Sequence, residues 1–240
     1  MRKKSTERIV ICPYNPEWKS LFINEEKLLR LCLTGEYKSI IHIGSTSIDG
    51  MEAKPIIDIS IAVYELKDGT FYEEKLSPVG YALCNGHKFQ KWILFGKNES
   101  GQEYHVHLMP HDSMRLFKQM MFKIFMEEKP YAADLYVRKK KAYLALDDHI
   151  WYSMNKEPFV NEVNMYALVN AIENPPYWIE RIESIMGYVP HADLFNVDKE
   201  KREVKQLGFE VAYKMLKKDM PIDDIIKSAG LNCEEVDYLK

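Results

Sequence analysis

The stretch Ile56-Ile57-Asp58-Ile59-Ser60-Ile61-Ala62-Val63 constrains this chain more than any other. Near-continuous apolar residues, most of them β-branched, read as a central strand covered on both faces, and such a strand belongs in a sheet with helices packed on it. A carboxylate is costly there unless it is paired or faces a cleft. Asp58 therefore marks a site as well as a strand. The turn Gly44-Ser45-Thr46-Ser47 precedes it, followed by Ala53-Lys54-Pro55. Small residues let a backbone approach phosphate closely, and turn N–H groups and hydroxyls can bind phosphate oxygens. A carboxylate on the next strand can hold Mg²⁺ against those oxygens.

The rest of the chain builds a setting for that strand. Pro13-Tyr14-Asn15-Pro16 is a turn, with Asn15 able to cap a helix over Pro16 to Leu33. Ser39 to Ile43 reads as a strand, Thr70 to Leu76 as a short helix, and Gly80 to Cys84 and Lys91 to Phe95 as strands before a Gly96–Gly101 turn. Glu103 to Met109 alternates strictly, with Glu103, His105 and His107 on one face and Tyr104, Val106 and Leu108 on the other. A helix and strands followed by a short-turn meander predict a mixed α/β (α+β) sheet rather than a doubly wound one. From Ser113 onward the pattern is helical: Met114 to Glu128, Ala132 to Leu146, Val160 to Glu173, Tyr177 to Met186, and three charged helical pieces after Asp198. Residues 1–170 are expected to form the catalytic-type domain and 171–240 an all-helical C-terminal extension.

Composition excludes several classes. The chain of 240 residues carries a net charge of −3, so nothing advertises a nucleic-acid partner. No stretch reaches the roughly 18 apolar residues of a membrane helix, and the basic Met1 to Arg8 segment lacks the apolar core of a signal peptide. Cys12, Cys32, Cys84 and Cys233 are widely spaced and read as reduced, mostly buried thiols of a cytoplasmic protein. The helical tail is a candidate surface for a protein partner, and it is too weakly basic to suggest a DNA reader.

Three arrangements suit the polar residues. Asp58 could hold one Mg²⁺ and a nucleotide, with Gly44, Ser45 and Thr46 on phosphate. His105 and His107 could join His42 or Asp58 around a transition metal, since imidazole suits Zn²⁺ better than Mg²⁺. Or the histidines hydrogen-bond Asp58, Glu103 or backbone in a polar cleft. Lys54, held extended by Pro55, could meet phosphate or pair with Asp49 or Glu52. His87, His111, His149 and His191 have no companions at ligand spacing and read as surface or core residues.

Pro13-Tyr14-Asn15-Pro16-Glu17-Trp18, His42-Ile43-Gly44-Ser45-Thr46-Ser47, Ala53-Lys54-Pro55-Ile56-Ile57-Asp58-Ile59 and His105-Val106-His107 together resemble the GrpB family, over about residues 8 to 160. That family resembles a branch of the nucleotidyltransferase superfamily, with its polymerase-beta-like fold. The resemblance implies a mixed sheet flanked by helices and a Gly-Ser turn near nucleotide phosphates. Tyr136 and Lys140, four apart on a helix, match recurrent positions of the family and are expected to line the cleft, with Lys140 on phosphate. The implied activity is Mg²⁺-dependent transfer of a nucleotidyl group, with Asp58 and His107 catalytic, Asp58, His105, His107 and Glu103 as candidate metal ligands, and a nucleotide or small phosphorylated molecule as partner. One departure stands out: superfamily members place a second acid two positions along the strand, and here that position is Ser60, so the alternative is a non-catalytic nucleotide- or small-anion-binding module that has lost the full acidic metal site.

Overall fold

The computed structural model describes residues 10–85, 91–144, 149–198 and 201–240. Its sheet consists of β1 (Tyr37–Ile43), β2 (Ile56–Val63), β3 (Ala82–Asn85), β4 (Ile93–Glu99) and β5 (Gln102–Pro110), in the spatial order β1-β2-β5-β4-β3. Only β2 and β5 run parallel; the other pairs are antiparallel. The expected mixed sheet is thus present, with β2 between two partners as its apolar sequence requires.

The alternation of β2 explains how it carries polar groups. Ile57, Ile59, Ile61 and Val63 face one side, where they join Tyr104, Val106 and Leu108 of β5 in a core. That core is closed by Trp18 and Leu29 of α1 (Glu17–Cys32) and by Tyr72 and Leu76 of α2 (Gly69–Leu76). The other side presents Asp58, Ser60 and Ala62, of which Ala62 enters a second core with Ile41, Ile43 and Met109. The run that reads as uniformly apolar is therefore one aliphatic face and one small, polar face.

Helices cover that second face. They are α3 (Met114–Glu128), α4 (Pro130–Leu144), α5 (His149–Glu173), α6 (Pro175–Met186), α7 (Arg202–Leu216), α8 (Ile222–Ala229) and α9 (Cys233–Leu239). Phe209, Ile225, Val236 and Tyr238 of the last three belong to the same core as Phe117 of α3 and Leu168 of α5. The Tyr238 hydroxyl donates to the Asn164 carbonyl at 2.8 Å, fastening α9 to α5. None of the helices among the described residues is long and apolar enough to cross a membrane.

Three local expectations change. The β4–β5 connection is not a loop over Gly96–Gly101: β4 continues to Glu99, and the reversal is made by Ser100 and Gly101, with φ of 53° and 86°. Two adjacent positive-φ residues give the turn whose twist matches an antiparallel pair. Helix α5 runs through Pro158 instead of starting at Val160, held by buried Phe159, Val163, Ala167 and Leu168. Among the cysteines, Cys12 and Cys32 are half-buried while Cys84 and Cys233 are exposed, so mostly buried thiols are not what the fold provides. Cys84 lies on the edge strand and Cys233 in the first turn of α9. Asn15 does serve the start of α1, where its Oδ1 accepts from the Glu17 N–H at 3.0 Å.

Candidate functional site

Parallel pairing of β2 with β5 sets Asp58 opposite His105 and Ser60 opposite His107, all on the polar face. The Asp58 Oδ1 atom lies 3.5 Å from both His105 Nδ1 and His107 Nε2. Burial by itself would push the Asp58 carboxyl up, but the two imidazoles hold it well below the usual carboxylate range. The same contact raises the His105 pKa. Asp58 is therefore ionised at neutral pH, and its side chain keeps 31% of its exposure.

The Gly44–Ser47 turn comes up against this carboxylate. Gly44 has φ 70° and ψ −176°, a region open essentially to glycine alone. A Cβ there would stand 2.6 Å from Asp58 Oδ2. After Gly44, Ser45–Ser47 form a single 3₁₀ turn, closed by the Ser47 hydroxyl donating to Gly44 O at 2.8 Å. Lys123 of α3 donates to Ser47 O at 2.7 Å, and Lys141 of α4 forms an ion pair with Glu52 at 2.6 Å. The turn is clamped from outside as well as from within.

Lys140 stands beneath Ser45. Its Nζ donates to Ser45 Oγ at 3.1 Å and to the Glu52 carbonyl at 2.8 Å, with the residue only 3% exposed. Burial, then repulsion from Lys156 and Lys54, brings its pKa down to about 7. Lys54 is lowered to about 8, again by burial first and Lys156 second. Tyr136, one turn before Lys140, is buried on Phe159, and its phenol hydrogen-bonds both Lys156 and Ser45. Three lysines from a loop, α4 and α5 thus lie close enough to repel one another, and the Asp58 charge acts on Lys54.

Gly44, Ser45, Lys54, Asp58, His105, His107, Tyr136 and Lys140 are brought together as the sequence suggested. His42 and Thr46 are not part of the lining. His42 pairs with Ile59, which turns its ring to the opposite face, where it stacks on Phe22 at 4.8 Å. Its Nε2 meets Thr46 Oγ1 at 3.1 Å, and burial lowers its pKa to about 3, so it is neutral. Thr46 is buried with its hydroxyl donating to Ile56 O at 2.9 Å, so the pair braces the turn from behind. Glu103 is opposite Ile56, where its charge reaches His105. Ser60, fully buried, donates to Gln119 Oε1 of α3 at 2.7 Å. His191 bridges Asp112 O and Glu234, a structural link. His87 and the side chain of His149 lie outside the described residues.

Sequence reasoning missed Lys156 and Gln119. Both reach the site only through helix packing, and no local pattern marks them. Among the described residues, no three His, Cys, Asp or Glu side chains are grouped so as to hold a metal ion.

Comparison with known proteins bears on the family and the fold. The sequence model of the family described as GrpB protein matches residues 8–165. UPF0157 protein YqkA of Bacillus subtilis is 30% identical over 138 residues, 58% of this chain, which spans 40% of that relative's length. The glutamate-rich protein GrpB of Alkalihalophilus pseudofirmus is 29% identical over 65% of this chain and 93% of its own. The crystal structure of conserved protein GrpB from Enterococcus faecalis superposes with a TM-score of 0.60 at 26% identity, covering 70% of this chain and 99% of that one. The match runs from the first strand region through β5 and the helices that carry Lys140 and Lys156, and by it the chain belongs to the GrpB family.

Proposed function

We propose that this GrpB-family protein binds the phosphate groups of a nucleoside triphosphate between the Gly44–Ser45 turn and the Asp58–His105–His107 face, and transfers the nucleotidyl group to an acceptor. The observation that carries the reading is a cluster of positive charge. Lys54, Lys140 and Lys156 lie close enough to repel one another, and Lys140 hydrogen-bonds only neutral acceptors among the described residues. Folding has concentrated cations in a chain whose net charge is −3. Glu52 acts against that repulsion at Lys140, and Asp58 and Glu103 at Lys54, and a phosphate group would add to them.

Asp58 is the residue that would hold Mg²⁺, which would neutralise phosphate charge and arrive with the nucleotide. His105, raised in pKa by Asp58, would present a proton donor beside the phosphates. His107, 14% exposed, orients Asp58 from below. Ser60 favours a second reading. With its hydroxyl committed to Gln119, it supplies no second carboxylate, and a cleft with one acid could bind a nucleotide or small anion without turning it over.

Calorimetry with a panel of nucleoside triphosphates and Mg²⁺, paired with an assay for released pyrophosphate, separates the readings. Transfer predicts binding with turnover, both lost in Asp58→Ala. Binding without turnover selects the second reading, and no binding by any triphosphate removes both.

A further inference from the structure

Lys140 is buried, at 3% exposure, with its Nζ 3.1 Å from the Ser45 hydroxyl. The Glu52 carbonyl, at 2.8 Å, fixes the direction of its Nζ. Ser45 itself is half-buried, on the first residue of the 3₁₀ turn, and its hydroxyl also meets the Tyr136 phenol. A nucleophile, a base within hydrogen-bond reach and a third group orienting the base make up the arrangement that activates serine in covalent catalysis.

We propose that Ser45 and Lys140 form a nucleophile–base pair, and that Ser45 accepts the nucleotidyl group as a covalent intermediate. This deepens the triphosphate reading of the same cleft and rests on it for the identity of the substrate. In the step, the neutral Lys140 amine takes the Ser45 hydroxyl proton as Oγ bonds to the α-phosphorus of a nucleoside triphosphate. The bond from that phosphorus to the bridging oxygen breaks, and pyrophosphate leaves with the electron pair. In the second step an acceptor hydroxyl oxygen replaces Ser45 Oγ on phosphorus, the Lys140 ammonium returns its proton to Oγ, and the acceptor's proton passes to water. The Tyr136 phenol hydrogen-bonds both Ser45 and Lys156, which links a cation to the oxygen where charge grows as the bond forms.

A lysine acts as a base near neutrality only when its surroundings disfavour the ammonium. The groups around Lys140 do so: Lys54, Lys141 and Lys156 repel it, Glu52 opposes them, and burial is the largest effect, leaving a pKa of about 7. At neutral pH about half of the amine is then free to take a proton.

The test is labelling of the intact protein with a small alkyl fluorophosphonate, which carries its own leaving group and no phosphate charge. Attack forms the Ser45 Oγ–phosphorus bond and expels fluoride. Peptide mass spectrometry should place the label on Ser45, with a rate that rises through pH 7 and levels off above pH 8. Ser45→Ala should lose it. Lys140→Arg, which keeps a cation but no base, should slow it by about 10²-fold or more. Circular dichroism of both variants checks that they fold. Labelling that is absent from Ser45 in folded wild-type protein between pH 6 and 9, or that proceeds at the wild-type rate in Lys140→Arg, overturns the proposal. Triphosphate binding measured on the same wild-type sample keeps the two ideas apart. Binding without a label leaves the cleft reading standing alone, and a label without binding leaves the nucleophile but removes the triphosphate.

Discussion

Among the described residues two lysines are buried, on opposite faces of one sheet, and they are treated in opposite ways. Lys97 of β4 points toward α1, where its Nζ lies 2.8 and 2.9 Å from the two carboxylate oxygens of Glu25. The Tyr81 hydroxyl donates to Glu25 Oε1 at 2.9 Å, and the Tyr81 and Tyr104 rings stand 5.4 and 5.0 Å from the ammonium. Burial alone would lower the Lys97 pKa, but Glu25 outweighs it and the pKa is raised. Lys140 is as deeply buried and meets a hydroxyl and a carbonyl instead. One lysine is charged and finished with its interactions. The other is held between protonation states, with neighbours of its own sign. Burial is common to both, so burial does not make a functional lysine; the missing carboxylate does.

The largest expected effect breaks the finished pair. Lys97→Met would leave the Glu25 carboxylate buried beside Tyr81 without a cation, and we expect a loss of about 3–5 kcal/mol in unfolding free energy. Urea denaturation at pH 7 measures it. Replacing both partners, as in Lys97→Met with Glu25→Leu, should recover most of the loss, because two apolar groups need no mutual compensation. A single variant that unfolds with the wild-type midpoint would mean that Glu25 is not held as a buried charge.

Next comes the hinge between turn and strand on the other face. Gly44→Ala forces an L side chain into an extended positive-φ conformation and sets a Cβ 2.6 Å from Asp58 Oδ2. Strain of this kind costs about 1–3 kcal/mol. Relief would come from moving the turn off Asp58, so triphosphate affinity should fall more than stability does. Equal and small changes in both would show that the close approach of Gly44 is incidental to the cleft.

How much of this contrast could be read beforehand follows from the range of each interaction. Asp58, His105 and His107 were legible because period-two alternation assigns a face without knowledge of the partner strand. That β5 pairs with β2 in parallel, and so sets His105 opposite Asp58, is a matter of tertiary register that neither strand states. Tyr136 and Lys140 came from helical spacing and the family resemblance together. Lys97 was placed in a turn, because Gly96 and Gly101 bracket it and the strand signal between them is weak. Its partner, Glu25, looks like any other charge on an amphipathic helix until Tyr81 covers it. His42 and Thr46 stand beside a glycine turn as ligand residues would, yet alternation with Ile41 and Ile43 turns His42, and a hydrogen bond to Ile56 O turns Thr46, behind that turn.

The smallest effect is the one whose sign matters. Lys140 has a folded pKa of about 7 against an ordinary lysine value of 10.5. Between these values the unfolded chain binds more protons than the folded one, so stability due to this residue rises with pH. Its destabilisation is absent above the unfolded value and fully developed below the folded one. Lys140→Met removes that burden and, with it, the hydrogen bonds to Ser45 and Glu52. We expect the free variant to gain on the order of 1 kcal/mol at pH 7, with the gap closing as pH approaches 10. A triphosphate that stabilises the wild type should stabilise the variant far less, because the cation beneath Ser45 is gone. Thermal unfolding of both proteins from pH 6 to 10, with and without nucleotide, gives the whole pattern. If Lys140→Met is instead less stable than wild type throughout, as Lys97→Met should be, then the two buried lysines are both staples and the asymmetry across the sheet disappears.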